Sequence, residues 1–290
     1  MMAKYSKSVP CRLYAILARE APVGVVFRRG PSKWVQTIGW DTSTDKFTPG
    51  QWFHGRIYER RCDLSPNGTL LAYFAMDLSS SNPHSDRTYA WTAVSRAPYL
   101  TELAVWPKGN CWGGGGLFES NCKFWLNHDS GMTDPNPNYT PQGLTVTHDG
   151  GGAGEDWPIY SARLERDGWR QAQQMKVEYT RTNAGLITHV PGIHYKQNPR
   201  GKQMLTMTRT LSGFSSDEDI DVSYDEGKHW HLKGAAWADW DQRGRLVFAR
   251  DGRLFALHAE DIGLKEPQEL IDMNNHKPAP TEVPEWAKSW

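Results

Sequence analysis

The chain has 290 residues, with 33 Lys or Arg against 33 Asp or Glu and a formal net charge of zero at pH 7. Balanced charge supplies no global field to draw in a polyanion or an anionic membrane, so nucleic acid is not an expected partner. Charged or polar residues break every hydrophobic run within about ten positions, too few to span a bilayer, and no membrane association is expected.

The N-terminal segment Met1-Met-Ala-Lys-Tyr-Ser-Lys-Ser-Val-Pro10 lacks the apolar core of a signal peptide, and a cytoplasmic location is the expectation. Strand signals then succeed one another over 13–17, 23–27, 34–40, 70–74, 89–94, 103–106, 159–164, 204–207, 220–224, 246–249 and 254–257. Only 167–178 and 237–241 have a helix-compatible composition, and neither carries caps. The expected fold class is all-β. Asn67-Gly68, Asp167-Gly168, Glu226-Gly227 and Asp251-Gly252 each supply the glycine that a tight hairpin needs at positive φ.

Two segments repeat one pattern: Asp63-Leu-Ser-Pro-Asn-Gly68-Thr-Leu-Leu-Ala-Tyr-Phe74 and Asp239-Trp-Asp-Gln-Arg-Gly244-Arg-Leu-Val-Phe-Ala249. In each, a short strand enters a polar turn closed by glycine, and an apolar run leads away. The turn glycines Gly201 and Gly244 are spaced as in four-stranded propeller blades of about 40–45 residues. The expectation is a β-propeller of five blades, each of four antiparallel strands. It forms a single domain over 1–275, with approximate blades at 11–54, 55–107, 108–176, 177–234 and 235–275. A tail over 276–290 carries Pro278, Pro280 and Pro284, and its Trp286 and Trp290 are expected to dock back on the body.

The third blade is over-long, because the stretches Asn127 to Gly143 and His148 to Trp157 are too polar and too rich in Gly and Pro for strands. Both are read as surface loops, where function concentrates. The four cysteines, Cys11, Cys62, Cys111 and Cys122, show no CxxC spacing. They are read as reduced thiols, with a Cys111–Cys122 disulfide as the alternative for an exported protein.

Ser223-Tyr-Asp225-Glu-Gly227-Lys-His-Trp230 resembles the Asp-box hairpin of sialidases and related propellers. That resemblance implies a turn stabilised by Asp225 and Ser223, a tryptophan packed between sheets, and no catalytic residue. Ser65-Pro66-Asn67-Gly68 followed by Leu70-Leu-Ala-Tyr73 is similar to the S-P-D-G element of WD-repeat-like and TolB-like propellers, with Asn for the usual Asp. Those families are mostly protein-binding scaffolds.

Chemistry-bearing candidates are few. The glycines of Cys111-Trp-Gly-Gly-Gly-Gly-Leu117 permit close backbone approach, read as crowding near an axis, and lack the Lys-Ser/Thr of a phosphate loop. His229 and His231 share one strand face, with His189, His194 and His148 as further donors, but nothing in the sequence brings a ligand set together, and neither a metal nor another cofactor is expected. For an enzyme, the candidates are Asp63, Glu119, His148, Asp149, Glu155 and Asp239 converging on the axis as glycan-cleaving carboxylates do. Trp106, Trp112, Trp125 and Trp157 are candidate binding aromatics beside the irregular loops. The first functional expectation is a binding or scaffolding propeller with a protein partner at the third-blade loops. The alternative is a hydrolase or lectin-like protein acting on a glycan or small polar ligand at the axis.

Overall fold

A computed structural model describes residues 9–30, 32–79, 88–149, 156–172, 178–182, 185–189, 192–212 and 215–290. It is all-β apart from one α-helix and short 3-10 turns, with five principal sheets in chain order. Sheet 1 is the meander β1 (Arg12–Leu17), β2 (Val23–Arg29), β3 (Trp34–Asp41) and β4 (Lys46–His54). Sheet 2 contains β5 (Arg56–Ile57), β6 (Asp63–Leu64), β7 (Leu70–Met76), β8 (Ala90–Arg96) and β9 (Glu102–Pro107). Here β5 and β6 both pair with β7, and a 3-10 turn over Glu59–Arg61 interrupts that edge.

Sheet 3 departs most from the expected four antiparallel strands. It has three, β10 (Gly116–Ser120), β11 (Lys123–Leu126) and β12 (Thr145–Thr147), and β12 runs parallel to β11. Helix α1 (Trp157–Arg166) follows, then β13 (Arg170–Gln171) and a separate hairpin of β14 (Glu178–Thr182) and β15 (Gly185–His189). Sheet 4 is completed by β16 (Gly192–Gln197), β17 (Met204–Ser212), β18 (Ser215–Asp225) and β19 (Lys228–His231). Sheet 5 is the meander β20 (Ala235–Trp240), β21 (Leu246–Arg250), β22 (Arg253–Leu257) and β23 (Gln268–Asp272). Among the described residues no sheet closes on itself.

The hydrophobic core is divided among faces between neighbouring sheets. Val25, Phe27 and Val35 of sheet 1 meet Leu71, Tyr73 and Trp91 of sheet 2. Ala72, Val94 and Trp106 of sheet 2 meet Phe118, Phe124 and Leu126 of sheet 3. Leu205 and Val222 of sheet 4 meet Leu246 and Phe248 of sheet 5, while Leu13, Val26 and Ile38 of sheet 1 meet Val247 and Leu254 of sheet 5. Strands buried on both faces read as continuous apolar runs, as Leu70-Leu-Ala-Tyr-Phe-Ala75 does.

The join between sheets 1 and 5 is heavily hydrogen-bonded. Arg245 binds Asp45 at 2.7 Å and Asp241 at 2.8 Å. The Gln242 amide donates to the carbonyls of Ala18, Ala21 and Val23, and the Cys11 N–H donates to Asn274 at 3.0 Å. The tail docks as expected: Trp290 Nε1 donates to the Leu103 carbonyl, and Trp286 sits edge-on to Tyr99 while remaining 58 % exposed.

Two expectations about local structure are corrected. The run 159–164 is not a strand but the body of α1, and Asp167-Gly168 is not a hairpin turn but its stop. Ile159, Tyr160, Arg163 and Leu164 are buried at one-turn spacing, which a strand's alternation cannot produce. Pro158 stands at the first turn, where its missing N–H costs nothing. At the other end Gly168 adopts φ +89°, with Gly168 N–H donating to Glu165 and Trp169 N–H to Leu164, a Schellman closure. The segment 237–241, read as helix-compatible, lies within and just after β20.

The polar turns behave as their sequences require. Gly68 and Gly244 both have φ near +75°, and Asn67 and Asp241 accept backbone N–H groups two residues on. In the 223–230 hairpin, Asp225 pairs with Lys228 at 3.1 Å, and Trp230 packs edge-on against Phe248 of sheet 5. All four cysteines are free, so the alternative Cys111–Cys122 disulfide is not formed.

The loop after β11 is anchored by a buried histidine. His128 is fully buried, with Nε2 at 2.8 Å from Thr92 Oγ1 and Nδ1 at 2.8 Å from the Met132 carbonyl. The carbonyl can only accept, so Nδ1 carries the proton and Thr92 donates to Nε2. Thr92 Oγ1 in turn accepts the Gly115 N–H. Burial pushes the imidazole down to about 4, and Lys108 adds to the effect. The unfolded chain therefore takes up a proton that the folded chain refuses between pH 6.5 and 4. Stability is intact above pH 6.5 and falls by about 3 kcal/mol as pH drops through that window. Urea unfolding at pH 7 and pH 4.5 should show this fall in wild type and a shallower one in His128→Gln; equal slopes would exclude His128 as the cause.

Candidate functional site

Helix α1 occupies the place where a fourth strand of sheet 3 was expected, and its residues reach four sheets. Its start is held by an unusual exchange: Asp156, at the cap position, binds Arg61 Nε at 2.7 Å instead of the helix N–H groups. Arg61 is 1 % exposed, lies over the Tyr58 and Phe74 rings, and donates to the carbonyls of Cys111 and Gly113. The glycine run is thus the cradle of a buried arginine. A Cβ on Gly115 would lie 2.1 Å from the Arg61 carbonyl oxygen, and one on Gly114 would lie 2.3 Å from the Phe74 ring.

From the helix, Arg166 binds Asp63 bidentately at 2.6 and 2.9 Å, Asp167 at 2.8 Å and the Phe118 carbonyl at 3.2 Å. Asp63 is fully buried and also accepts the Phe118 N–H at 2.7 Å, so one carboxylate ties β6, β10 and α1 together. One turn earlier Arg163, 4 % exposed, donates to the carbonyls of Glu59 and Cys62 and to the Tyr14 hydroxyl. Tyr160 sits beside Glu218, which is bound by Arg60 at 2.8 Å.

Beside this helix lies a cavity of about 590 Å³, walled by Tyr14 to Arg19 of β1 and the turn after it, by α1, by Lys196 of β16 and by Trp237 to Trp240 of β20. Lys196 Nζ stands 2.6 Å from Asp239 Oδ1, which also accepts the Trp240 N–H at 2.7 Å. Burial raises the Asp239 carboxyl above the usual range, and Lys196 opposes that rise.

Of the six candidate acidic or basic residues, the structure brings two to this region, Asp63 and Asp239. Glu119 is exposed and pairs with Lys123, while His148 and Asp149 are exposed on the loop after β12. Glu155 lies outside the described residues. The candidate tryptophans differ in exposure where their side chains are described. Trp106 is buried against Phe124, Trp125 is half-buried, Trp112 is 59 % exposed, and the side chain of Trp157 lies outside the described residues. His231 pairs with Asp221 at the surface, and among the described residues no three His, Cys, Asp or Glu stand close enough to hold a metal ion.

The residues that sequence reasoning missed are the partners: Tyr14, Arg163, Arg166 and Lys196. A signal for two of them existed, since Pro158 and Gly168 bracket a run with arginines three apart, the start and stop marks of a helix. No helix among the described residues is long and apolar enough to cross a membrane. The chain matches no family model and no curated protein sequence.

Proposed function

We propose that the five sheets are the blades of a propeller and that the protein binds a small polar ligand in the cavity beside α1. The carrying observation is convergence: Arg19, Lys196, Asp239, the helix residues Arg163 and Arg166, and Asp167 just after the helix border one cavity of about 590 Å³. That volume is in the range of about 300–1,000 Å³ that small-molecule sites occupy. Its walls alternate cations and carboxylates with the apolar faces of Ile16, Met207 and Trp237, the mixture suited to a hydroxyl-rich molecule such as a sugar. Binding is favoured over hydrolysis because Asp63 is fully buried, held by Arg166 and the Phe118 N–H, and does not border the cavity.

Ala236 is an exposed residue bordering both this cavity and a neighbouring one of about 470 Å³. Ala236→Trp should fill the shared wall and abolish calorimetric binding of glucose or glucuronate without changing the circular dichroism. Unaltered binding of both sugars by a folded variant would refute the site.

A second reading, protein binding through the loops around sheet 3, is favoured by Trp112, whose indole stands out from the glycine run at 59 % exposure.

A further inference from the structure

The donors lining the cavity indicate the class of ligand, an inference that rests on the cavity being the binding site. A hydroxyl has one hydrogen to give. Arg163 donates to the Tyr14 oxygen, so the phenolic hydrogen must point away from the guanidinium. Among the described residues no acceptor takes it, and Tyr14 lines the cavity with its ring tilted at 58° against Trp237. Burial pushes the Tyr14 hydroxyl up to about 12 despite Arg163, so the proton is in place at neutral pH.

Arg163 poses a second demand. Its charge is almost wholly buried, yet its hydrogen bonds go only to two carbonyls and to Tyr14, with no carboxylate in contact among the described residues. Asp63 and Asp167 favour its charge from beyond contact, and an anion arriving in direct contact would add to that. Arg19, at the far end of the same wall, also has no acidic partner among the described residues and donates to the Phe118 carbonyl at 2.9 Å. The acids along the cavity are already engaged: Asp167 by Arg166, Glu218 by Arg60, Asp239 by Lys196 and Asp241 by Arg245.

We propose that the ligand is a small organic acid whose carboxylate accepts the Tyr14 hydroxyl proton beside Arg163, with its hydroxyl groups toward Lys196 and Asp239. Hydrogen bonds to a charged group are the stronger kind, so acid and neutral ligands should separate clearly.

The test is calorimetric titration of the full chain with glucuronate, gluconate and glycerate, each beside its neutral counterpart glucose, sorbitol or glycerol. At least one acid should bind about tenfold more tightly than its counterpart, and Tyr14→Phe should remove about that factor for the acid alone. Tyr14→Phe keeps the ring and its packing, and an unchanged melting temperature confirms that it is folded. Equal affinities for acid and neutral partner, or an acid bound as well by Tyr14→Phe, would overturn the carboxylate assignment and leave the cavity reading standing. Failure of every compound to bind at millimolar concentration would overturn both.

Discussion

Arg166→Met should destabilise the fold by about 3–5 kcal/mol in urea unfolding at pH 7. The reason is what it leaves behind. Asp63 is fully buried, and without Arg166 its carboxylate keeps, among the described residues, only the Phe118 N–H as a partner. Because the cost lies in an uncompensated charge, Asp63→Asn on the same background should recover part of it. The double variant should therefore be more stable than the sum of the single changes predicts. Strict additivity would show that Arg166 matters through packing alone, and a cost below about 1 kcal/mol would place the pair with exposed ion pairs of little consequence.

Gly115→Ala should be comparably severe, at about 3–5 kcal/mol, for steric reasons. Gly115 combines φ +80° with a backbone oxygen 2.1 Å from where the new Cβ would stand, and backbone cannot swing aside. Gly143 is the internal control. It has φ +65° with open space around it, so Gly143→Ala carries the conformational strain without the clash and should cost about 1 kcal/mol. Equal melting temperatures for the two variants would remove the claim that the glycine run exists to admit Arg61.

Much of the sheet framework was legible because burial on both faces writes itself as apolar runs. The strands β1, β2, β3, β7, β21 and β22 all stand within a residue or two of where such runs place them. β4 was missed because Pro49 and Gly50 lie inside it, at a bulge between Gln36 and Ile38 on its partner that tolerates both. In sheet 3, β11 and β12 were missed because, at four and three residues, they are too short to write an apolar alternation. α1 was misread because Ile159, Tyr160 and Leu164 form an apolar run too short for periodicity to decide between strand and helix. That error carried over to the site. Asp63 and Asp239 stand out as acids beside a repeated turn. Arg163, Arg166 and Lys196 belong to no motif, and only the fold brings them opposite those acids.

The join between sheets 1 and 5 sets a timetable for the nascent chain. Cys11 and Asn274 hydrogen-bond across 263 positions, and Arg245 reaches Asp45 across 200. Such contacts are slow to find, because a long loop must close before any of them forms. The earlier sheets can pair while residues are still being added, but the face carrying Leu13, Val26 and Ile38 must wait for Val247 and Leu254 to leave the ribosome. Through most of synthesis that face is sticky and uncovered, an opening for chaperones and for premature aggregation alike. A stalled chain missing its last fifty residues would remain in that state.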